Sequence, residues 1–114
     1  MTSQGSASGR FTRACKQRNL FQAEVGLREM GNPSLLILTD YLELLAEVKP
    51  EKLERAAVRW HGRLETEAAW LTLAESQLTL SALTSLCSGS RDSVEVLRRL
   101  LRRASPTTVQ RFRG

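Results

Sequence analysis

The 114-residue sequence predicts an all-α fold, a single compact bundle of about five helices behind a disordered N-terminal tail. Three observations predict it. Leu and Ala dominate the apolar residues while aromatics reach only 5%, a balance that favours helices over strands. Leu53, Ala57, Trp60 and Leu64 recur at steps of four, three and four, the spacing of one helix face. Prolines, glycines and capping residues punctuate the chain at helix-length intervals. The length leaves room for one domain with one core, assigned to residues 11–114, with 1–10 as the tail.

Met1 to Gly9 is small, polar and Ser/Gly-rich, the composition of a disordered segment. The first helix is predicted over 11–30. Leu20, Ala23, Leu27 and Met30 share a face, Gly31 supplies the stop, and Asn32-Pro33 breaks the chain. Gly26 weakens that helix, because an interior glycine costs about 1 kcal/mol relative to alanine. The second helix is predicted over 33–48, with Asn32 as its cap and Pro33 at the first helical position. Its apolar residues, Leu35 through Val48, cover so much of the circumference that it must pack against more than one neighbour.

Pro50 turns the chain into a third helix over 51–68. Lys52, Arg55, Arg59 and Arg63 form a basic stripe beside the Leu53/Trp60 face, and Glu51-Arg55 and Arg63-Glu67 are spaced for i,i+4 pairs. Thr72-Leu73-Ala74-Glu75 has the form of a capping box and opens a fourth helix over 72–87. With no charged residue between Glu75 and Arg91, this helix is predicted to be the most buried. The fifth helix is predicted over 92–104, capped by Ser90 or Asp92 and closed by Pro106. Val94, Leu97 and Leu101 face one way, and Arg98, Arg99, Arg102 and Arg103 the other.

The net charge of +5 is unevenly placed. The last 24 residues hold seven arginines against Asp92 and Glu95, whereas residues 31–90 are mildly acidic. No apolar run approaches the roughly 20 residues of a membrane span, so no integral membrane association is expected. Nothing at the N-terminus has the form of a secretion signal, and the expected location is cytoplasmic. Cys15 and Cys87 are then expected to be reduced thiols.

The catalytic and cofactor motifs are missing. There is no Gly-rich phosphate loop, no cluster of metal ligands, and no nucleophile-bearing turn. His61 is the only histidine and has no placed acid–base partner in the sequence. The expectation is a non-enzymatic protein without metal or cofactor.

The stretch Glu54-Arg55-Ala56-Ala57-Val58-Arg59-Trp60-His61-Gly62-Arg63, followed by Leu71-Thr72-Leu73-Ala74-Glu75-Ser76-Gln77-Leu78, resembles a recurrent group of small bacterial helical proteins. The resemblance covers roughly residues 27–104. It implies a helical fold and a bacterial origin, and it carries no assigned activity.

Two functional readings follow. The favoured one is a protein–protein interaction, adaptor or self-associating module, with a protein partner or a second copy at an interface containing Arg55, Arg59, Trp60 and Arg63. Trp and Arg are the residue types that anchor interfaces. The alternative is nucleic-acid binding by the C-terminal helix and tail, through Arg98, Arg99, Arg102, Arg103, Arg111 and Arg113. Ser105 to Arg111 resembles the start of a helix-turn-helix recognition helix. Arg102 and Arg103, however, stand where that motif places small residues and a glycine.

Overall fold

A computed structural model describes the backbone of residues 6–113 and the side-chain surroundings of residues 6–103. Four helix starts are fixed by a side-chain oxygen that accepts a backbone N–H. Ser6 accepts from Gly9, Asn19 from Gln22, Ser34 from Ile37 and Thr72 from Glu75. Each such cap is worth about 1 kcal/mol. Among the described residues there are six α-helices: α1 (Ala7–Lys16), α2 (Leu20–Met30), α3 (Leu35–Val48), α4 (Leu53–Glu67), α5 (Leu73–Cys87) and α6 (Val94–Arg113). Short 3-10 turns, Pro50–Lys52 and Arg91–Ser93, lead into α4 and α6.

The boundaries depart from expectation in three places. The helix expected over 11–30 is two helices. It starts earlier, inside the stretch read as tail, and it breaks at Arg18, which takes a left-handed φ of 55°. Asn19 is the cause: its side chain caps α2, and a residue that serves the backbone as a cap competes with helix continuation. The second helix is capped by Ser34 rather than Asn32, so Pro33 precedes the cap. The last helix does not close at Pro106 but extends to Arg113. Pro106 removes one N–H from the ladder without ending the helix. The expected tail's first five residues lie outside those described.

Helices α3 to α6 form a four-sided bundle. α3 packs on α4 and α6, and α5 packs on the same two helices. Its core is built from Leu42, Leu45, Leu53, Trp60, Leu64, Leu86, Val94 and Leu97, all nearly inaccessible. The α1–α2 hairpin lies outside, against α3, around a second core of Phe11, Ala14, Ala23 and Leu44. This accounts for the broad apolar surface of α3. Leu42 and Leu45 face the bundle while Leu44 faces the hairpin.

Gly26 marks the point where α1 crosses α2. A Cβ there would stand 3.2 Å from both the Ala7 carbonyl oxygen and the Phe11 Cβ. The interior glycine that weakens α2 is thus what allows the hairpin to close.

α5 corrects the expectation most strongly. Thr79, Ala82, Leu83 and Leu86 are buried, but Leu73, Leu78 and Leu80 are exposed at 79%, 49% and 46%. An uncharged helix had been read as a buried one, yet here it places apolar side chains in water.

The two interior glycines of α2 and α4 should respond oppositely to alanine. A Cβ on Gly62 meets nothing within 4 Å, so Gly62→Ala is expected to stabilise the fold by about 1 kcal/mol. Gly26→Ala gains nothing, because α1 must move to admit the methyl group. Urea unfolding monitored by circular dichroism checks both.

Candidate functional site

α4 has an inner face and two flanks. Leu53, Ala57, Trp60 and Leu64 turn into the core. Trp60 is 2% exposed, and its indole N–H needs an acceptor inside the protein. It donates to the Leu35 carbonyl at 3.1 Å and to Thr39 Oγ1 at 3.2 Å, both on α3. The Thr39 hydroxyl in turn donates to the Leu35 carbonyl at 2.8 Å.

With Trp60 anchored there, the flank of α4 beside it borders a cleft against α3. The cleft measures about 780 Å³, inside the range of roughly 300–1,000 Å³ usual for ligand pockets. Leu38, Tyr41, Leu42, Ala56 and Trp60 give it an apolar floor, and Lys52, Arg55, Arg59 and Arg63 line its α4 edge. The proposed interface residues Arg55, Arg59, Trp60 and Arg63 therefore meet on one surface. Lys52 joins them, as its place in the basic stripe predicts, and Leu38 and Tyr41 are additions from α3.

The four cations differ in how they are held. Lys52 Nζ lies 2.8 Å from Glu24 Oε2, which also accepts from the Tyr41 hydroxyl at 2.7 Å. Arg63 donates to Glu67 at 2.6 and 3.1 Å and to the Pro33 carbonyl at 2.7 Å. Arg55 and Arg59 are exposed and make no ion pair among the described residues. The expected Glu51–Arg55 pair does not form; Glu51 lies 3.8 Å from Lys49 instead. Burial pushes the Tyr41 hydroxyl pKa up, and its bond to Glu24 adds to this, while the charge of Arg59 opposes both.

The other flank of α4 faces α5. A trough of about 530 Å³ there is lined by Val58, Leu80, Thr84, Cys87 and His61, among others. Val58 is 66% exposed. His61 Nε2 lies 3.3 Å from Glu65 and 3.4 Å from Ser76 Oγ, and Ser76 donates to Glu65. A catalytic triad needs the carboxylate on the ring nitrogen opposite the hydroxyl. Here serine and carboxylate meet the same nitrogen, which makes the trio a tie between α4 and α5.

Among the described arginines of α6, Arg98 is enclosed while Arg99, Arg102 and Arg103 are exposed. Arg98 is 13% exposed and donates to Asp40 and Glu43 on α3 and to Glu95 on its own helix. Burial works against its charge, but those hydrogen bonds outweigh burial and raise its pKa. Arg103 lies 2.5 Å from Glu75. Arg99 and Arg102 are exposed, and the side chains of Arg111 and Arg113 lie outside the described residues.

No protein-family model, curated protein or solved structure matches this chain. Among the described residues no helix is long and apolar enough to cross a membrane, and no group of three acidic, His or Cys side chains is placed to hold a metal. The two thiols are free. Burial, with Asp40 and Glu43 adding, pushes the Cys15 thiol up to about 11, and burial raises that of Cys87. Both shifts disfavour the thiolate, which is the form a nucleophile needs.

Two measurements test this geometry. Trp60→Phe removes the indole donor and leaves a small void, at an expected cost of about 1–3 kcal/mol in urea unfolding. The second concerns Glu24. Burial alone would raise its pKa, but hydrogen bonds from Lys52 and Tyr41 outweigh this and hold it below the ordinary 4.5. Its stabilising contribution is therefore complete above that value and is lost as pH falls through the lowered one. The melting temperature is expected to drop on acidification below 4.5, and to drop less in Glu24→Gln.

Proposed function

We propose that the protein is a non-enzymatic interaction module that self-associates through the α4-facing flank of α5. One observation carries this reading: large apolar side chains stand in water on a flank that holds no charge between Glu75 and Arg91. Exposed apolar surface of this kind usually marks an interface. Leu73, Gln77, Leu80, Thr84 and Cys87 follow one another at steps of four, three, four and three, the spacing of a helix-packing seam.

That seam reads nearly the same in both directions about Leu80. In an antiparallel pair, Leu80 meets its own copy on the two-fold axis, Gln77 meets Thr84, and Leu73 meets Cys87. An interface of this type is self-complementary and closes after two copies. The chain's net charge of +5 opposes self-contact in general, and an uncharged helix flank lets two copies meet without juxtaposing arginines.

Light scattering coupled to size exclusion tests it. The expected mass is about twice the 12.8 kDa of the chain, and Leu80→Glu is expected to return the monomer with unchanged helicity. A wild-type mass of one chain at the highest attainable concentration overturns the proposal.

A further inference from the structure

We infer that the α3–α4 cleft receives an acidic amphipathic helix from a partner protein. The inference does not depend on self-association through α5, which uses the opposite flank of α4.

The floor and rim of the cleft make different demands. Leu38, Tyr41 and Ala56 are partly exposed at its floor, over the buried Leu42 and Trp60, so the occupant has an apolar face. The rim is cationic, and the arrangement of the cations narrows the occupant further. Lys52, Arg55, Arg59 and Arg63 are spaced by three, four and four residues, which spreads them over about 16 Å at the helical rise. A single phosphate or carboxylate headgroup reaches one or two of them. A row of carboxylates at helical spacing reaches along the whole rim, and an amphipathic helix presents such a row beside its apolar face.

The pairing pattern supports the same occupant. Arg18, Arg91 and Arg98 all meet carboxylates within the chain. Lys52 and Arg63, at the two ends of the rim, are likewise paired, to Glu24 and Glu67. Arg55 and Arg59, at its centre, have no carboxylate among the described residues. Glu51 is spaced to reach Arg55 and lies instead 3.8 Å from Lys49. The centre of the rim is thus cationic without internal compensation, one helical turn apart and directly above the apolar floor.

Complementary charge accelerates encounter and fixes register, while the buried apolar face supplies most of the affinity. A peptide whose acidic residues recur every three or four positions would place two carboxylates against Arg55 and Arg59. Its apolar face would then lie against Leu38, Tyr41 and Ala56.

The test selects a displayed library of 15-residue helical peptides against the full-length protein. Enriched peptides are measured by fluorescence anisotropy at several salt concentrations. Expected are sequences with an apolar face flanked by Asp or Glu at helical spacing, bound more weakly as salt rises. Arg55→Glu/Arg59→Glu is expected to weaken them at least tenfold with helicity and melting temperature unchanged. Arg13→Glu/Lys16→Glu, the same charge change on the exposed side of α1, leaves binding intact. The inference is overturned if nothing is enriched, if enriched peptides lack the acidic pattern, or if the Arg55/Arg59 variant binds equally. Binding of laurate that depends on Arg55 and Arg59, with no acidic peptide competing, also overturns it in favour of a lipid-like anion. Peptide binding that survives in a strictly monomeric protein upholds this inference while removing the self-association reading.

Discussion

The indole N–H of Trp60 is the constraint on which the rest of the bundle depends. A buried tryptophan brings the largest apolar surface available to a small core, together with one donor that must be satisfied. Here the acceptors are the Leu35 carbonyl and the Thr39 hydroxyl, near the first turn of α3. Thr39 is fully buried and both gives and receives a hydrogen bond, so the trio has no member without a partner. Sliding α4 along α3 by one turn would break two of these bonds at once and leave polar atoms stranded in a low-dielectric interior. The register of α4 on α3 is set there, and with it the position of every rim residue from Lys52 to Arg63.

Electrostatics then orients what packing holds. α3 carries Asp40, Glu43 and Glu47, and basic groups from other elements come to them: Arg98 from α6, Arg91 from the turn before it, and Arg18 from the break between α1 and α2. Exposed pairs contribute little each, about 0–1 kcal/mol, so these contacts choose orientations more than they stabilise the fold. Arg98 differs in being largely enclosed, where losing a partner would leave a charge poorly solvated. The consequence for function is a redistribution of charge. The C-terminal helix looks like the basic end of the sequence, yet Arg98 and Arg103 are spent on carboxylates within the fold. Arg99 and Arg102 of that helix, like Arg55 and Arg59 of the α4 rim, are exposed and make no ion pair among the described residues.

Local chemistry explains what was legible in the sequence and what was not. The Leu53/Ala57/Trp60/Leu64 face and the Thr72–Glu75 capping box follow from spacing along one helix, and both are found as read. The break inside the helix expected over 11–30 is not legible, because an asparagine such as Asn19 in that stretch fits either a helix interior or a cap, and only the capping bond decides. α5 was misread for a deeper reason. A helix without charge is equally suited to being buried by its own chain and to being left for another surface. Periodicity reports which residues share a face, not what covers that face. The cleft was half legible for the same reason: Arg55, Arg59, Trp60 and Arg63 lie on one helix, whereas Leu38 and Tyr41 join them only once Trp60 has found Leu35.

The two surfaces that remain are unlike each other because α4 lies between them. Its inner stripe is consumed by the core, which fixes the helix rotation and leaves only its flanks to vary. One flank is basic and opens towards α3; the other, with Val58, opens towards the uncharged side of α5. A helix with its side chains is about 10 Å across, so occupants of the two flanks need not collide. The flanks also differ in lining: the cleft joins an apolar floor to a cationic rim, whereas the trough sets Val58 and Leu80 beside Glu54 and His61. The arginines lie away from the α5 side, where Glu54 and Glu65 share the Val58 flank of α4. The rotation of a single helix, set by one tryptophan, therefore gives the protein two surfaces of unlike chemistry.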